Sequence, residues 1–260
     1  MELNNLKYEV EGKVGILTFN RPKVLNALNA ETVREIIKTV NQIKEEGNVS
    51  VLAMTGEGEK AFVAGADINE FVGQGVKEGF EFSRSFQEMT SSIEKMGIPT
   101  IAMVNGLALG GGCEIALACS LRVLSQNARM GLPELGLGVV PGAGGTQRLP
   151  RIIGKGRALY YILTGDMIGA QEALEMGLAN FVVEPDKLKE KTLEIAKKIC
   201  TKGPLAVKLA LHAVNYGLEA DIEAGLTLEA AMASIATGSQ DTKEGIAAFL
   251  EKRKPIFTGN

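Results

Sequence analysis

The sequence predicts an α/β fold that gives way to an all-helical C-terminal region. Three observations carry this. Short apolar runs alternate with longer segments of helical periodicity as far as residue 183. Glycine-rich stretches follow several of the apolar runs, as where strands turn into helices. From Asp186 onward only helical patterns remain.

The elements follow in order. Residues 8–10 and 14–19 read as strands joined by the turn Glu11-Gly12-Lys13. Asn29 can cap a helix through Glu46 whose apolar face is Val33, Ile36, Ile37, Val40 and Ile43. Residues 49–54 form a buried strand, and 56–60 a flexible connection. The segment 62–68 is small and apolar until Asp67, which can start a short helix to Phe71. An amphipathic helix spans 77–96, and a strand over 99–104 leads into a glycine turn and a further helix. Residues 121–124 are a strand, and 131–145 read as a glycine-rich loop. Helices at 146–153, 155–163 and 170–176 precede a late strand at 181–183. The tail then predicts helices at 186–201, 204–217, 221–237 and 241–253, with apolar stripes that include Leu226, Ala230, Ala233 and Ala236. Strand–helix alternation implies parallel pairing with right-handed crossovers. The change in pattern sets a boundary near residue 195, giving a core over 1–195 and a helical region over 196–260.

Bulk composition narrows the function. The chain has 260 residues, 45% hydrophobic and 23% charged, with a net charge of −3. That suits a globular protein and argues against a polyanion binder. No apolar run approaches the ~18 residues of a membrane span. The first residues, Met1 to Asn5, resemble neither a signal nor a transit peptide, and the three cysteines form no CxxC pair. A reducing cytoplasm is the expected location. With one histidine, His212, and no GxSxG, neither a Ser-His-Asp triad nor a metal site is expected. Neither GxGxxG nor a Walker loop is present, so the 31 glycines serve another purpose.

That purpose is suggested by the run Asn105-Gly106-Leu107-Ala108-Leu109-Gly110-Gly111-Gly112-Cys113-Glu114. Consecutive glycines let a ligand approach the main chain, and a helix N-terminus presents unpaired N–H groups. Such donors stabilise an oxyanion. Glu114 sits just inside this turn among Gly112, Cys113, Ile115 and Ala116, an unsuitable place for a solvated side chain. Glu134 lies in a second glycine-rich loop. Amide donors plus two carboxylates suit acid–base chemistry beside a carbonyl. Read without further context, Glu134 also fits a surface role, Asp67 a helix cap, Cys113 a small core residue and His212 a packing residue.

Five segments together resemble the crotonase (enoyl-CoA hydratase/isomerase) superfamily. They are Asn20-Arg21-Pro22 with Leu25-Asn26-Ala27-Leu28; Ala64-Gly65-Ala66-Asp67-Ile68; Asn105 to Glu114; Pro133-Glu134-Leu135-Gly136-Leu137-Gly138 through Pro141-Gly142-Ala143-Gly144-Gly145-Thr146-Gln147-Arg148-Leu149; and Phe249 to Pro255. The resemblance spans nearly the whole chain and is strongest to short-chain members of bacterial butyrate and butanol metabolism. It implies a spiral of β-β-α turns, a C-terminal trimerisation region, and homo-trimers or hexamers.

The same resemblance implies a short trans-2-enoyl-CoA substrate, hydrated reversibly to the 3-hydroxyacyl-CoA. It places the N–H groups of Ala66 and Gly111 on the thioester oxygen, Glu114 and Glu134 on the water, and Gly142 beside that water. It assigns Lys23, Leu25, Lys60, Ala64, Ala66, Asp67, Ile68, Leu109, Gly110, Gly111 and Lys252 to substrate and coenzyme A contacts. No prosthetic group is expected, since coenzyme A arrives with the substrate, and neither nucleic acid nor membrane is an expected partner. One departure is Leu132, where the family often has glutamine; it is expected to alter the acyl pocket or the surroundings of Glu134. The alternative is a Δ3,Δ2-enoyl-CoA isomerase, which needs one carboxylate and no activated water, or another acyl-CoA enzyme of the superfamily. An RNA-binding relative is disfavoured by the net charge and by the acid pair.

Overall fold

The computed structural model describes residues 3–260. Strands β1 (Leu6–Glu11) and β2 (Val14–Phe19) form an antiparallel hairpin. Helix α1 (Ala30–Glu46) starts where Asn29 accepts a hydrogen bond from the Thr32 N–H, and it ends at Gly47 in the left-handed conformation. Its Val33, Ile36, Val40 and Ile43 are buried, as the spacing predicts.

Three β-β-α turns follow. The first is β3 (Val51–Gly56), β4 (Ala61–Ala64) and α2 (Val76–Glu94). The second is β5 (Thr100–Val104), β6 (Leu107–Leu109) and α3 (Gly111–Ala118). The third is β7 (Leu121–Ser125), β8 (Arg129–Gly131) and α4 (Gly145–Ile153). In each turn the first strand enters a six-stranded sheet of order β1-β2-β3-β5-β7-β10, and the second enters a four-stranded sheet of order β4-β6-β8-β9. The remaining elements are α5 (Lys155–Thr164), β9 (Ile168–Gly169), α6 (Ala170–Glu175), β10 (Phe181–Val183) and four C-terminal helices. Those helices are α7 (Leu188–Cys200), α8 (Pro204–Gly217), α9 (Ile222–Thr237) and α10 (Gln240–Leu250). This is the crotonase spiral that the resemblance implies.

The small sheet positions the site. β4, β6 and β8 are parallel neighbours, with Ala64 opposite Leu109 and Leu109 opposite Gly131. Parallel strands lie about 4.8 Å apart. The three chain segments that leave these aligned positions therefore emerge side by side at one sheet edge. They are Gly65-Ala66, Gly110-Gly111 and Leu132-Pro133-Glu134. The residue pattern alone reads 105–110 as a turn and 131–145 as a loop. β6 and β8 escape it because they have only 3 residues each, too short for alternation to show.

The change in pattern sets the expected boundary at residue 195. It falls inside α7, whose Leu188 and Ala196 are buried against Val14, Val51, Ile101 and Val123 of the large sheet. The chain leaves this layer only after Cys200. Beyond it, α8 and α9 bury none of their residues. They pack on one another, with Gly217 and Gly225 allowing close approach, and they leave Val214, Leu218, Ile222, Leu226 and Ile235 exposed.

A buried arginine holds α3 at its C-terminal end. Arg122 is 6% exposed and donates to the carbonyls of Ala116 (3.2 Å), Cys119 (2.8 Å) and Leu178 (2.6 Å). A cation suits the negative end of a helix dipole, and it satisfies carbonyls that the helix leaves unpaired. Arg122→Ala strands three acceptors, at about 1–3 kcal/mol for each buried group left unpaired. The expected result is a clearly lower Tm than wild type in a thermal melt at matched protein concentration; an unchanged Tm would contradict this role.

Candidate active site

The three neighbouring segments wall a cleft of ≈ 250 Å³. Ala64, Gly65 and Ala66 form one side, and Leu109, Gly110 and Gly111 the next. Glu114, Glu134 and Gly142 complete its polar wall. The apolar wall comes from α2 and the 137–140 loop: Phe82, Phe86, Leu137, Val139 and Val140, with Phe71 beside them. The phenyl rings of Phe71, Phe82 and Phe86 stack in sequence, with centroids 4.9 and 4.5 Å apart.

Two main-chain donors on residues that line this space have no hydrogen-bond partner among the described residues. Leu28 donates to Gly65 O at 2.9 Å and accepts from the Asp67 N–H at 2.7 Å. The Ala66 N–H between them has no backbone acceptor among the described residues. Gly111 is the first residue of α3, so its N–H has no intrahelical partner. Gly110 before it has φ 50° and ψ −122°, a conformation suited to glycine. It also makes room for the second acid, because a Cβ there would sit 2.9 Å from Glu134 Oε1.

The two carboxylates live in different surroundings. Glu114, on the first turn of α3, is 2% exposed. Its Oε1 accepts from the N–H groups of Ala143 and Gly145, both at 2.8 Å. Burial raises its pKa above the ordinary carboxylate value; the two N–H bonds and the Arg148 charge pull against that rise. Glu134 opens the 3-10 turn Glu134–Leu137. Its Oε2 is buried with no hydrogen-bond partner among the described residues. Burial, opposed by its own N–H and reinforced by the Glu114 charge, pushes its pKa up to about 7. The cleft thus offers one carboxyl group anchored by two amides and a second whose pKa is pushed up to about 7.

The residues of the expected coenzyme A site are divided by the structure. Ala64, Ala66, Ile68, Leu109, Gly110 and Gly111 line the cleft. Lys23, Leu25, Lys60 and Lys252 lie outside its wall. Leu25 borders it through the backbone, its carbonyl accepting from the Ala64 N–H at 3.1 Å. Asp67 is also off the wall. Its carboxylate accepts from the Asn69 N–H at 3.3 Å and pairs with Arg21 at 3.2 Å, so it caps the turn Ile68–Phe71. Leu132 is fully buried and does not reach the cleft. It packs with Gly145 beside the Glu114 Cγ, so it forms apolar backing for Glu114 and does not shape the acyl wall. His212 stacks on Tyr216 of its own helix, and burial pushes the Cys113 thiol pKa up, so neither serves the cleft.

Reasoning from the sequence missed Ala143 and Gly145 as the partners of Glu114. Both belong to the glycine-rich run singled out there, but backbone donors have no residue-type signature. The phenylalanines were hidden for another reason: at helical spacing they read as ordinary core.

A model of the enoyl-CoA hydratase/isomerase family matches residues 9–260. The chain belongs to this family. Among its hydratase relatives, a short-chain-enoyl-CoA hydratase of Clostridium acetobutylicum is 47% identical over 98% of this chain and 97% of its own. A crotonyl-CoA hydratase of Syntrophomonas wolfei is 46% identical over 99% of each chain. The crystal structure of an enoyl-CoA hydratase from Bacillus anthracis superposes with a TM-score of 0.96 at 41% identity, covering 99% of this chain and 100% of that one.

Proposed function

We propose that this hydratase-family chain adds water reversibly to short trans-2-enoyl-CoA thioesters, crotonyl-CoA among them, to give 3-hydroxyacyl-CoA. The observation that carries this reading is the pairing of two unlike carboxylates in one cleft that also holds two free amide donors. Water attacks Cβ and gives its proton to Glu114. The electron pair moves through the double bond to the thioester oxygen, where the Ala66 and Gly111 N–H groups bind the enolate. Cα then takes a proton from Glu134, and Gly142 N–H steadies the water. Dehydration runs the same steps backward. Losing one oxyanion donor raises the barrier by about 3–4 kcal/mol.

The relatives named for short-chain and crotonyl substrates support a C4 preference. The test is incubation with crotonyl-CoA and detection of 3-hydroxybutyryl-CoA, followed by comparison of C4, C6 and C8 enoyl-CoAs. Conversion of 3-butenoyl-CoA without any hydration would instead establish the isomerase. That reading uses a single carboxylate and leaves the second unexplained.

Coenzyme A enters with the substrate and no prosthetic group takes part. Lys23, Leu25, Lys60 and Lys252 are assigned to its nucleotide end, outside the cleft. The exposed apolar residues of α8 and α9 are covered by other copies, in a homo-trimer or hexamer. No helix among the described residues is long and apolar enough to cross a membrane, and none of the three cysteines is in a disulfide, which suits the cytoplasm.

A pH profile follows from the acids. Hydration needs Glu114 ionised and Glu134 protonated. Glu134 is protonated below about 7. The kcat/KM for hydration should therefore fall as pH rises through about 7, and fall again on the acid side as Glu114 takes up a proton. The two limbs belong to the pair as a unit. An alkaline limb that survives in Glu134→Gln would dissociate it from this acid.

A further inference from the structure

α2 carries a polar stripe beside its cleft-lining phenylalanines. Gln87, Thr90 and Glu94 are spaced i, i+3 and i+7, on one helical face. Gln87 Nε2 donates to Gly142 O at 2.9 Å. The Thr90 hydroxyl donates to Ala143 O at 2.8 Å. Arg148 of α4 donates to the same Ala143 O at 3.1 Å and to Thr90 Oγ1 at 3.2 Å. Its guanidinium also engages Glu94, at 3.2 Å to Oε1 and 2.7 Å to Oε2. The guanidinium lies across Gly144, where a Cβ would be 2.1 Å from an Arg148 nitrogen. The loop carbonyls Gly142 O and Ala143 O are thus held from α2 and α4.

The N–H groups of the same loop hold Glu114. The peptide joining Gly142 to Ala143 is bonded at both ends, its C=O to Gln87 and its N–H to Glu114 Oε1. The next peptide is anchored by Thr90 and Arg148 through Ala143 O, and Gly145 N–H beyond it also reaches Glu114 Oε1. A loop of Gly-Ala-Gly-Gly loses much backbone entropy when ordered, so its conformation needs outside anchors. Hydrogen bonds in such a chain also polarise one another.

We propose that Gln87, Thr90 and Arg148 are positioning residues for Glu114: by holding two loop carbonyls they aim two N–H groups at Glu114 Oε1 and keep it a proton acceptor. This rests on the reading of Glu114 as the base. The groups facing Glu114 are Arg148 from α4, Glu134 from the 134–137 turn, and the un-ionised Cys113 thiol on its own helix. Arg148 makes no hydrogen bond to Glu114; besides its charge acting through space, it acts through the loop, and it is paired with Glu94. Weakening the anchors therefore loosens the amide donors first.

The test compares Thr90→Val, Thr90→Ser, Gln87→Leu and Glu114→Gln in the full chain, with crotonyl-CoA. Thr90→Val is expected to lower kcat by about tenfold to a hundredfold, the scale of a misplaced catalytic group. KM should stay within about threefold, as for an interaction made mainly in the transition state. The acid limb of kcat/KM should move up by about one pH unit, because a carboxylate with weaker N–H bonds binds its proton more tightly. Thr90→Ser, which keeps the hydroxyl, should restore rate and profile. Gln87→Leu should shift the limb in the same direction, and it carries the test if Thr90→Val does not fold. A lowered kcat with an unmoved acid limb, or an unaltered kcat, overturns the proposal while an inactive Glu114→Gln leaves the base intact. An active Glu114→Gln overturns the reading of Glu114 itself.

Discussion

Glu114→Gln should abolish nearly all crotonyl-CoA hydration, lowering kcat by about 10²–10⁴-fold, the usual worth of one positioned acid–base group. The size and specificity of this loss follow from geometry. An amide oxygen can still accept from the Ala143 and Gly145 N–H groups, now 2.8 Å from Oε1, so the loop and α3 should keep their places. What disappears is the capacity to take a proton from water. On the proposed mechanism acyl-CoA binding rests on the Ala66 and Gly111 amides, the apolar wall and the residues assigned to coenzyme A, all unaltered here, so the dissociation constant should change by less than about threefold. Glu134→Gln should likewise be nearly inactive, through loss of the donor at Cα. Stopped-flow or steady-state assay of both variants, with calorimetric measurement of product binding, checks each part. A double variant with near-normal turnover would remove both acids from the mechanism.

The second large effect is on packing. Gly112→Ala places a methyl 2.0 Å from Val63 O and 2.7 Å from Val63 Cβ. Val63 is fully buried in β4, and β4 is tied to β6, so the obstacle is backbone that cannot step aside. Overpacking a rigid core typically costs about 1–3 kcal/mol, and more where backbone is met. α3 and β4 must separate. That movement pulls the Gly111 N–H away from the Ala66 N–H, because Gly111 opens α3 and Ala66 lies two residues beyond the end of β4. Gly112→Ala is expected to lower Tm by several degrees and kcat by more than about tenfold, since a small misplacement of catalytic donors is amplified in rate. Gly156→Ala is the control. Nothing lies within 4 Å of that position in α5, so Tm should hold or rise. Equal losses in both variants would mean that the helix-to-strand contact has no special weight.

Gly112 also shows why part of the site was legible before any coordinates. A triple glycine beside a buried acid has few uses, and it marks main chain that something approaches closely. Glu114 stood out by its apolar neighbours. The helix cap at Asn29 and the face of α1 were legible because both signals are local, within one or two turns of chain. The hairpin was legible for the same reason. The lysines were not. Lys23, Lys60 and Lys252 can be numbered in the sequence, but their distance from the cleft depends on how separate elements dock. Asp67 was ambiguous between cap and contact until Arg21 and Asn69 were seen to occupy its carboxylate.

The sequence by itself determined the strand–helix order, the helical C-terminus, the two acids and the glycine stretches that flank them, since each is written in nearest-neighbour chemistry and short periodicities. Only the tertiary structure decided that these pieces meet. β6 and β8 carry no periodic signal, yet their register with β4 brings Ala66, Gly111 and Glu134 to one edge. It also decided that Glu114 is held by amides some thirty residues away, and that burial lifts Glu134 to about 7. Hydrogen-bond register and desolvation are set by partners distant along the chain, so no local pattern encodes them.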